Sequence, residues 1–114
     1  MVDCIFCKVA AGLIPSQKVA ETEELFAFED INPQAPTHVL IVPKKHMSSS
    51  LDITAHEAEL MGKIIMMAND IAIDRGLEKS GFRILTNTGS HAGQSVFHLH
   101  FHLLGGRRME WPPG

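Results

Sequence analysis

The chain has 114 residues, a length that fits one domain spanning residues 1–114. Its ten basic and thirteen acidic residues give a net charge of -3 and form no block of one sign, which disfavours a nucleic-acid or membrane-surface partner. The apolar runs are shorter than the roughly 20 residues of a bilayer span, and the first residues lack the pattern of a secretion signal, so we expect a soluble cytoplasmic protein.

Short elements are predicted in the first half of the chain. CIFCKVAAGLIP indicates a short helix that ends at its glycine and proline. QKVAETEELFAFED contains two candidate strands separated by the turn ETEE, and the proline-containing DINPQAP is predicted to be a loop. THVLIVP is apolar and rich in β-branched residues, so it predicts a buried strand that ends at Pro43.

A long amphipathic helix is predicted next, from about Thr54 to Arg75. Its apolar side chains recur every three or four residues and form a stripe about 160° wide. Thr54 and Asp52 are the candidate N-cap residues, and a glycine follows the last turn. Met66 and Ile73 lie outside the stripe, which fits either a contact with a second subunit or two exposed apolar residues.

The last part of the chain predicts a strand, a glycine-containing loop and a final strand in GFRILTN, TGSHAG and SVFHLHFHLL. The chain then contains about five strands, one long helix and one short helix, without the regular strand–helix alternation of a parallel sheet. This order favours a single α+β domain with a mainly antiparallel sheet.

Three histidines occupy alternate positions in QSVFHLHFHLL: His98, His100 and His102. Because alternate side chains of a strand point to the same face, we expect the three imidazoles on one face and the intervening apolar side chains in the core. Imidazole titrates near neutral pH, and burying a row of such groups does not serve stability. The row therefore indicates a chemical function.

Three interpretations of the histidine row stay open on the residues alone. The imidazoles can be hydrogen-bonded groups on a wet sheet face, zinc ligands completed from elsewhere in the chain, or nucleophiles. A neutral imidazole can attack phosphorus when its other ring nitrogen donates its proton to an acceptor. The preceding loop favours the nucleophile, because main-chain N–H groups around Gly93, Gln94 and Ser95 suit phosphate oxygens.

These stretches resemble the histidine-triad family. QSVFHLHFHLL is similar to its motif, H-x-H-x-H followed by two apolar residues, and GGRRMEWPPG resembles the C-terminus of the Hint branch, the histidine-triad nucleotide-binding proteins. DINPQAPTHVLIVPKKH and the opening IF-x-K segment extend the resemblance over nearly the full length. The resemblance implies a HIT-like fold that forms a homodimer.

The implied activity is hydrolysis of purine nucleoside phosphoramidates, which are AMP–amine conjugates, and also of aminoacyl adenylates, with no cofactor required for catalysis. His100 would be the nucleophile that forms a covalent nucleotidyl intermediate, His102 would contact the α-phosphate, and His98 would support the hydrogen-bond network. His38 would orient His100 by accepting its other N–H, and Ser95 would relay a proton to the departing nitrogen.

The resemblance also implies where the purine nucleotide binds. The apolar slot for the base would be formed by Ile5, Phe6, Val9, Phe28 and Ile31. Asp30 would accept the two ribose hydroxyls, because a carboxylate offers two acceptor oxygens. The positions near the phosphates and sugar are Asn87, Gly93, Gln94, Ser95, His100 and His102. Trp111 belongs to a tail that would reach the partner's site in a dimer.

Two cysteines, Cys4 and Cys7, stand in C-x-x-C spacing, and without a secretion signal they are expected to be reduced thiols. Other bacterial histidine-triad proteins carry such a pair and bind zinc with two histidines. The resemblance therefore makes Cys4, Cys7, His46 and His98 candidate ligands of a structural zinc ion, with free thiols as the alternative.

Two other functions stay open at the level of the sequence. A regulatory module would bind purine nucleotides with incidental turnover, and it would need the pocket but not the His100 imidazole. A zinc-dependent protein would instead use the triad histidines as metal ligands.

Overall fold

Five strands and two α-helices make up the computed structural model, which describes residues 4–114. Their bounds, in chain order, are α1 Ile5–Ala10, β1 Lys18–Glu21, β2 Leu25–Glu29, β3 Thr37–Pro43, α2 Ala58–Asp74, β4 Phe82–Leu85 and β5 Phe101–Gly105. Short 3-10 turns lie at Ser50–Asp52, Ala55–Glu57 and Ser90–Ala92. Within the described residues, neither helix has the length and apolar character that crossing a membrane requires.

The five strands form one sheet in the order β1-β2-β3-β5-β4, and every neighbouring pair is antiparallel. The predicted α+β domain with an antiparallel sheet, one long helix and one short helix is thus confirmed. β3 is buried along its whole length, which explains its apolar, β-branched sequence. The register of β3 with β5 places His38 opposite Leu104 and Leu40 opposite His102, so histidines of both strands lie near one another.

Alternation along β3 divides its side chains between two cores. Val39 and Ile41 belong to the larger core, which packs against the apolar stripe of α2. Leu40 and Val42 belong to a smaller core on the opposite face of the sheet, together with Phe6 of α1. The long helix thus covers one face, and the short helix covers part of the other.

The long helix begins later than predicted, because a 3-10 turn at Ala55–Glu57 comes first. Thr54 is the N-cap of that turn, and its side-chain oxygen accepts from the main-chain N–H of His56 while Glu57 Oε1 accepts from the N–H of Thr54. Lys45 donates to Glu57 at 2.7 Å. The hydrogen bonds from Lys45 and Thr54 hold the pKa of Glu57 at about 2.

The final strand is shorter than predicted. β5 begins at Phe101, so His98 and His100 precede the regular strand and only the third histidine of the row lies within it. The cause is a main-chain contact outside the sheet, since the N–H of Leu99 donates to the carbonyl of Met47, in the loop after β3, at 2.6 Å.

The predicted alternation of faces holds for most of this segment despite its irregular backbone. Leu99 and Leu103 are buried in the core beneath α2, while the histidines lie on the other face. Phe97 is the exception, because the expectation placed it in the core and the structure leaves it 59% exposed. It lies four residues before β5, where the chain does not follow the sheet.

Candidate active site

A cavity of about 880 Å³ lies on the α1 face of the sheet. This volume falls in the range of small-molecule sites, about 300–1,000 Å³. The predicted site residues that line it are Ile5, Phe6, Val9, Phe28, Asp30, Ile31, Ser95, His100 and His102. The fold therefore brings the proposed base slot, the ribose carboxylate and two triad histidines to one space.

The apolar wall of the cavity is built from α1 and β2. The Phe6 ring meets the Phe28 ring edge-on, with centroids 5.5 Å apart, and meets the His100 ring edge-on at 5.0 Å. Ile5 and Ile31 stand at the mouth and are 49% and 100% exposed. A buried aromatic floor with exposed apolar residues at the mouth suits a flat, partly apolar ligand.

The His100 imidazole is fixed in one tautomer by the main chain. Its Nδ1 lies 2.7 Å from the carbonyl oxygen of His98, and a carbonyl can only accept, so Nδ1 carries the proton. The neutral ring then keeps a lone pair on Nε2. His100 is 7% exposed and lines the cavity. This is the arrangement that a nucleophilic imidazole requires.

His38 is also fixed in one tautomer, and it contacts His102. The main-chain N–H of Gln34 donates to His38 Nδ1 at 3.0 Å, so the neutral His38 ring carries its proton on Nε2. That nitrogen lies 2.9 Å from His102 Nδ1 and 3.3 Å from Asp30 Oδ2. The predicted contact of His38 with the N–H of His100 is wrong, because the His98 carbonyl accepts that proton.

The proton arrangement of His102 follows from that of His38. Because His102 Nδ1 accepts the His38 N–H, its own proton lies on Nε2, a buried atom without a hydrogen-bond partner in residues 4–114. Burial, with the neighbouring His100 and His38 rings, lowers the pKa of His102 to about 4. The cavity is therefore lined by a neutral ring with an unused N–H donor, which an anionic ligand can accept.

Asp30 lines the cavity and contacts the histidines. Its Oδ1 accepts from the main-chain N–H of Asn32 at 2.8 Å, and its Oδ2 faces His38. The side chain remains 19% exposed. Burial lowers the pKa of His38, and the negative charges of Asp30 and Glu29 oppose that shift. His38 thus stays neutral beside a carboxylate.

The loop before the histidine row is shaped by the side chain of Gln94. Its amide nitrogen donates to the carbonyls of Ser48 and Val96 at 2.7 and 3.1 Å, and its oxygen accepts from the N–H of Gly89 at 2.9 Å. The amide is thus occupied by main-chain groups of this loop and of the loop after β3. Asn87, Gly93 and Gln94 do not line the cavity, whereas Ser95 does.

A second cluster lies beside the cavity and contains the four candidate zinc ligands: Cys4, Cys7, His46 and His98. Their donor atoms all lie within 4.8 Å of one another. His98 Nδ1 is 3.2 Å from Cys4 Sγ, 3.4 Å from Cys7 Sγ and 3.1 Å from His46 Nδ1. Cys7 Sγ and His46 Nδ1 are 3.5 Å apart.

The donor atoms of this cluster fit a tetrahedral metal centre. His98 Nε2 donates to the Pro43 carbonyl at 2.7 Å, so Nδ1 presents one lone pair to three close neighbours. One lone pair cannot form a hydrogen bond with all three neighbours at once. Zinc bond lengths of about 2.0 Å to nitrogen and 2.3 Å to sulfur give tetrahedral edges of about 3.3–3.5 Å for N–N and N–S pairs, close to the observed separations.

Two sequence predictions near the site have different outcomes in the structure. The four candidate ligands come together from α1, the loop after β3 and the segment before β5. Trp111, assigned to a partner's site, is 81% exposed and does not line the cavity of its own chain.

Several site residues were missed by the sequence analysis. Leu40 and Val96 line the cavity, and the alternation of β3 could have revealed Leu40, because it shares a face with His38. The main-chain groups of Gln34 and Pro43 set two histidine tautomers. Main-chain hydrogen bonds of this kind have no signature in residue type, so no sequence pattern could have located them.

Known proteins resemble this chain in sequence and fold. A family model described as the HIT domain matches residues 11–109. A HIT family hydrolase from Legionella pneumophila has a solved structure that superposes with a TM-score of 0.96 at 48% identity, over 98% of this chain and 100% of that one. A histidine triad protein from Clostridium difficile gives a TM-score of 0.93 at 47% identity, over 96% of both chains. The 14 kDa zinc-binding protein of Zea mays is 46% identical, over 96% of this chain and 87% of that protein. The chain therefore belongs to the HIT domain family.

Proposed function

We propose that the protein is a hydrolase of purine nucleoside phosphoramidates, in the Hint branch of its family. The observation that carries the proposal is the His98 carbonyl, which holds the proton of His100 on Nδ1 and leaves Nε2 free as a nucleophile. The similar protein from Legionella pneumophila is named a hydrolase, which supports the reaction class.

The proposed first step forms a covalent intermediate. The Nε2 lone pair of His100 attacks the α-phosphorus, a phosphorus–nitrogen bond to the imidazole forms, and the bond to the amine breaks. The amine leaves with a proton supplied by the Ser95 hydroxyl. The nucleotidylated imidazole is cationic, and its Nδ1–H hydrogen bond to the His98 carbonyl stabilises that charge.

The second step hydrolyses the intermediate and regenerates the free enzyme. Water attacks the phosphorus and gives its proton to Ser95, the bond to His100 breaks, and AMP and a neutral imidazole result. In both steps charge develops on the phosphate oxygens, where the buried Nε2–H of His102 donates. All these groups belong to the chain, so we propose that catalysis needs no cofactor. The same steps would hydrolyse an aminoacyl adenylate.

The proposed substrate fits the two halves of the cavity. The purine would lie in the apolar slot between α1 and β2, against Phe6 and Phe28, and the ribose hydroxyls would donate to Asp30. Asn87, Gly93 and Gln94 would act on the phosphates through the shape of the loop that carries Ser95. Gln94 supports this role because its side chain bonds Gly89 and Val96 near Ser95 and also ties this loop to Ser48 in the loop after β3.

Two further features complete the proposal. A structural zinc ion would be held by Cys4, Cys7, His46 and His98, and when bound it would cross-link three segments of the chain. We also propose a homodimer, because Met66 and Ile73 are apolar and exposed on α2, at 65% and 51%. The exposed Trp111 would then reach the partner's site, and the expected compartment is the cytoplasm.

The intermediate can be tested directly by the mass of the intact protein. After a brief reaction with an adenosine 5′-phosphoramidate, the native chain should gain the mass of one nucleotidyl group. His100→Asn should show no gain, and His56→Asn, which changes an exposed histidine that does not line the cavity, should behave as the native chain. Equal turnover in the native and His100→Asn proteins would overturn the enzyme and leave a nucleotide-binding module.

A further inference from the structure

Helix α1 forms one wall of the cavity, but it is too short to be stable alone. It has six residues, whereas isolated helices shorter than about 12–15 residues are marginal in water. The position of Phe6 and Val9 in the cavity wall therefore depends on what attaches α1 to the rest of the fold.

Two attachments hold α1. Phe6 and Val9 are buried in the small core, against β2 and β3. Cys4, the N-cap residue, and Cys7, one turn later, direct their sulfurs to His98 and His46. The second attachment joins α1 to the loop after β3 and to the segment before β5.

His98 connects this second attachment to the nucleophile. Its ring belongs to the metal-ligand cluster, and its main-chain carbonyl accepts the Nδ1 proton of His100. Outside the cluster, the His98 ring contacts the Phe6 ring of α1 edge-on, with centroids 6.2 Å apart, and donates to the Pro43 carbonyl of β3. Loss of the cluster would therefore loosen α1, which would keep only its apolar contacts, while the segment that carries His100 keeps a separate tie to β3.

We infer that a zinc ion in the cluster sets the affinity of the cavity for nucleotides by fastening α1 to the His98 segment. Cys4, Cys7 and His46 are then positioning residues for the nucleotide, although none of them lines the cavity. This inference rests on the proposed function, and it adds that the metal acts on nucleotide affinity and not on the chemical step. Without the metal, α1 is less ordered in the free protein, and nucleotide binding must order it at a cost in free energy. Nucleotide affinity therefore falls, while the rate of the chemical step at His100 changes little.

The test compares AMP binding in native protein, chelator-treated protein and treated protein to which zinc is restored. Calorimetry should show that AMP affinity falls at least about tenfold on metal removal, a change of about 1.4 kcal/mol, and recovers with zinc. Cobalt(II) in place of zinc should give the visible absorption of a tetrahedral thiolate complex. In Cys7→Ser, KM should rise by a similar factor while kcat changes less than about threefold, and zinc should restore neither affinity nor KM.

A matched control separates positioning from general loss of stability. Leu60→Ala weakens the core beneath α2 on the other face of the sheet, so it should lower the melting temperature and leave AMP affinity unchanged. Hydrogen exchange should show loss of protection in α1 for the metal-free protein and not for Leu60→Ala.

Each outcome distinguishes this inference from the proposed function. Unchanged AMP affinity after metal removal, or a protein that takes up neither zinc nor cobalt, would overturn the inference and leave the proposed hydrolase standing. Metal-dependent AMP affinity in a native protein that does not cleave phosphoramidates would overturn the hydrolase and support the inference.

Discussion

The two faces of the sheet are held together in different ways. One face is covered by the 17 residues of α2, and its core contains Ile64, Ala68 and Leu103 with no exposed surface. The other face is covered only in part, by the six residues of α1, and carries the histidines, which are joined by hydrogen bonds with defined tautomers. The comparison suggests that apolar burial on one face supports polar, reactive groups on the other.

The largest expected effect is that of replacing His100, which should change activity but not stability. His100→Asn should lower kcat by at least about a thousandfold, because the proposed nucleophile is lost, while the free energy of unfolding changes little. Steady-state turnover and urea unfolding would be measured on the same samples. If His100→Asn lowered the free energy of unfolding but kept the native turnover of substrate, His100 would have a structural role and not a catalytic one.

The opposite pattern is expected at Ile64, which is fully buried beneath α2. Ile64→Ala should lower the free energy of unfolding by about 2–5 kcal/mol, because it leaves a cavity in the larger core. At a temperature where the variant is folded, kcat/KM should be that of the native protein. Ile73→Ala on the exposed side of α2 is the control and should cost far less in the monomer; equal losses would contradict the division between faces.

A smaller effect is expected at His38, which acts through His102. His38→Ala removes the donor to His102 Nδ1, so kcat/KM should fall about 10- to 100-fold, the cost of leaving a buried group unpaired. Nitrogen NMR of His102 should show a mixture of tautomers in the variant. Gln34→Ala is a strict control, because Gln34 contacts His38 only through its main-chain N–H. A full effect in that control would show that the loop, and not the imidazole pair, matters.

The last effect concerns pH and arises on the histidine face. His102 binds a proton at pH 6.5 when unfolded but only at about 4 when folded, beside Asp30, His38 and His100. Between these values the unfolded chain binds more protons, so this contribution to stability is present above pH 6.5 and is lost as the pH falls to about 4. Urea unfolding at several pH values should show a weaker dependence in His102→Gln, and an unchanged slope would exclude this origin.

The fold could be predicted where one residue pattern decides one element. The periodicity of α2 and the apolar β-branched run of β3 located both elements to within a few residues. The start of β5 could not be predicted, because it depends on a hydrogen bond between Leu99 and Met47, which are distant in sequence. Strand patterns contain no information about such competing main-chain partners.

The site shows the same limit. The alternate spacing predicted that His98, His100 and His102 lie on one face. The family resemblance predicted that Cys4 and Cys7 join two histidines, and the structure brings these four side chains together. Neither could show that His38 pairs with His102, since main-chain groups of Gln34 and of His98 decide the tautomers. No residue pattern could predict the hydrogen bonds of the buried Gln94 amide either, because its partners are main-chain carbonyls and a main-chain N–H.

Trp111 has a practical consequence for optical spectroscopy. It is the single tryptophan of a chain without tyrosine, and 81% of its surface is exposed. Its emission in an isolated subunit should resemble that of a free indole in water, and it should shift little when the cores melt. Tryptophan fluorescence would then change little on denaturation. A blue shift with rising protein concentration would instead report that another molecule had covered Trp111.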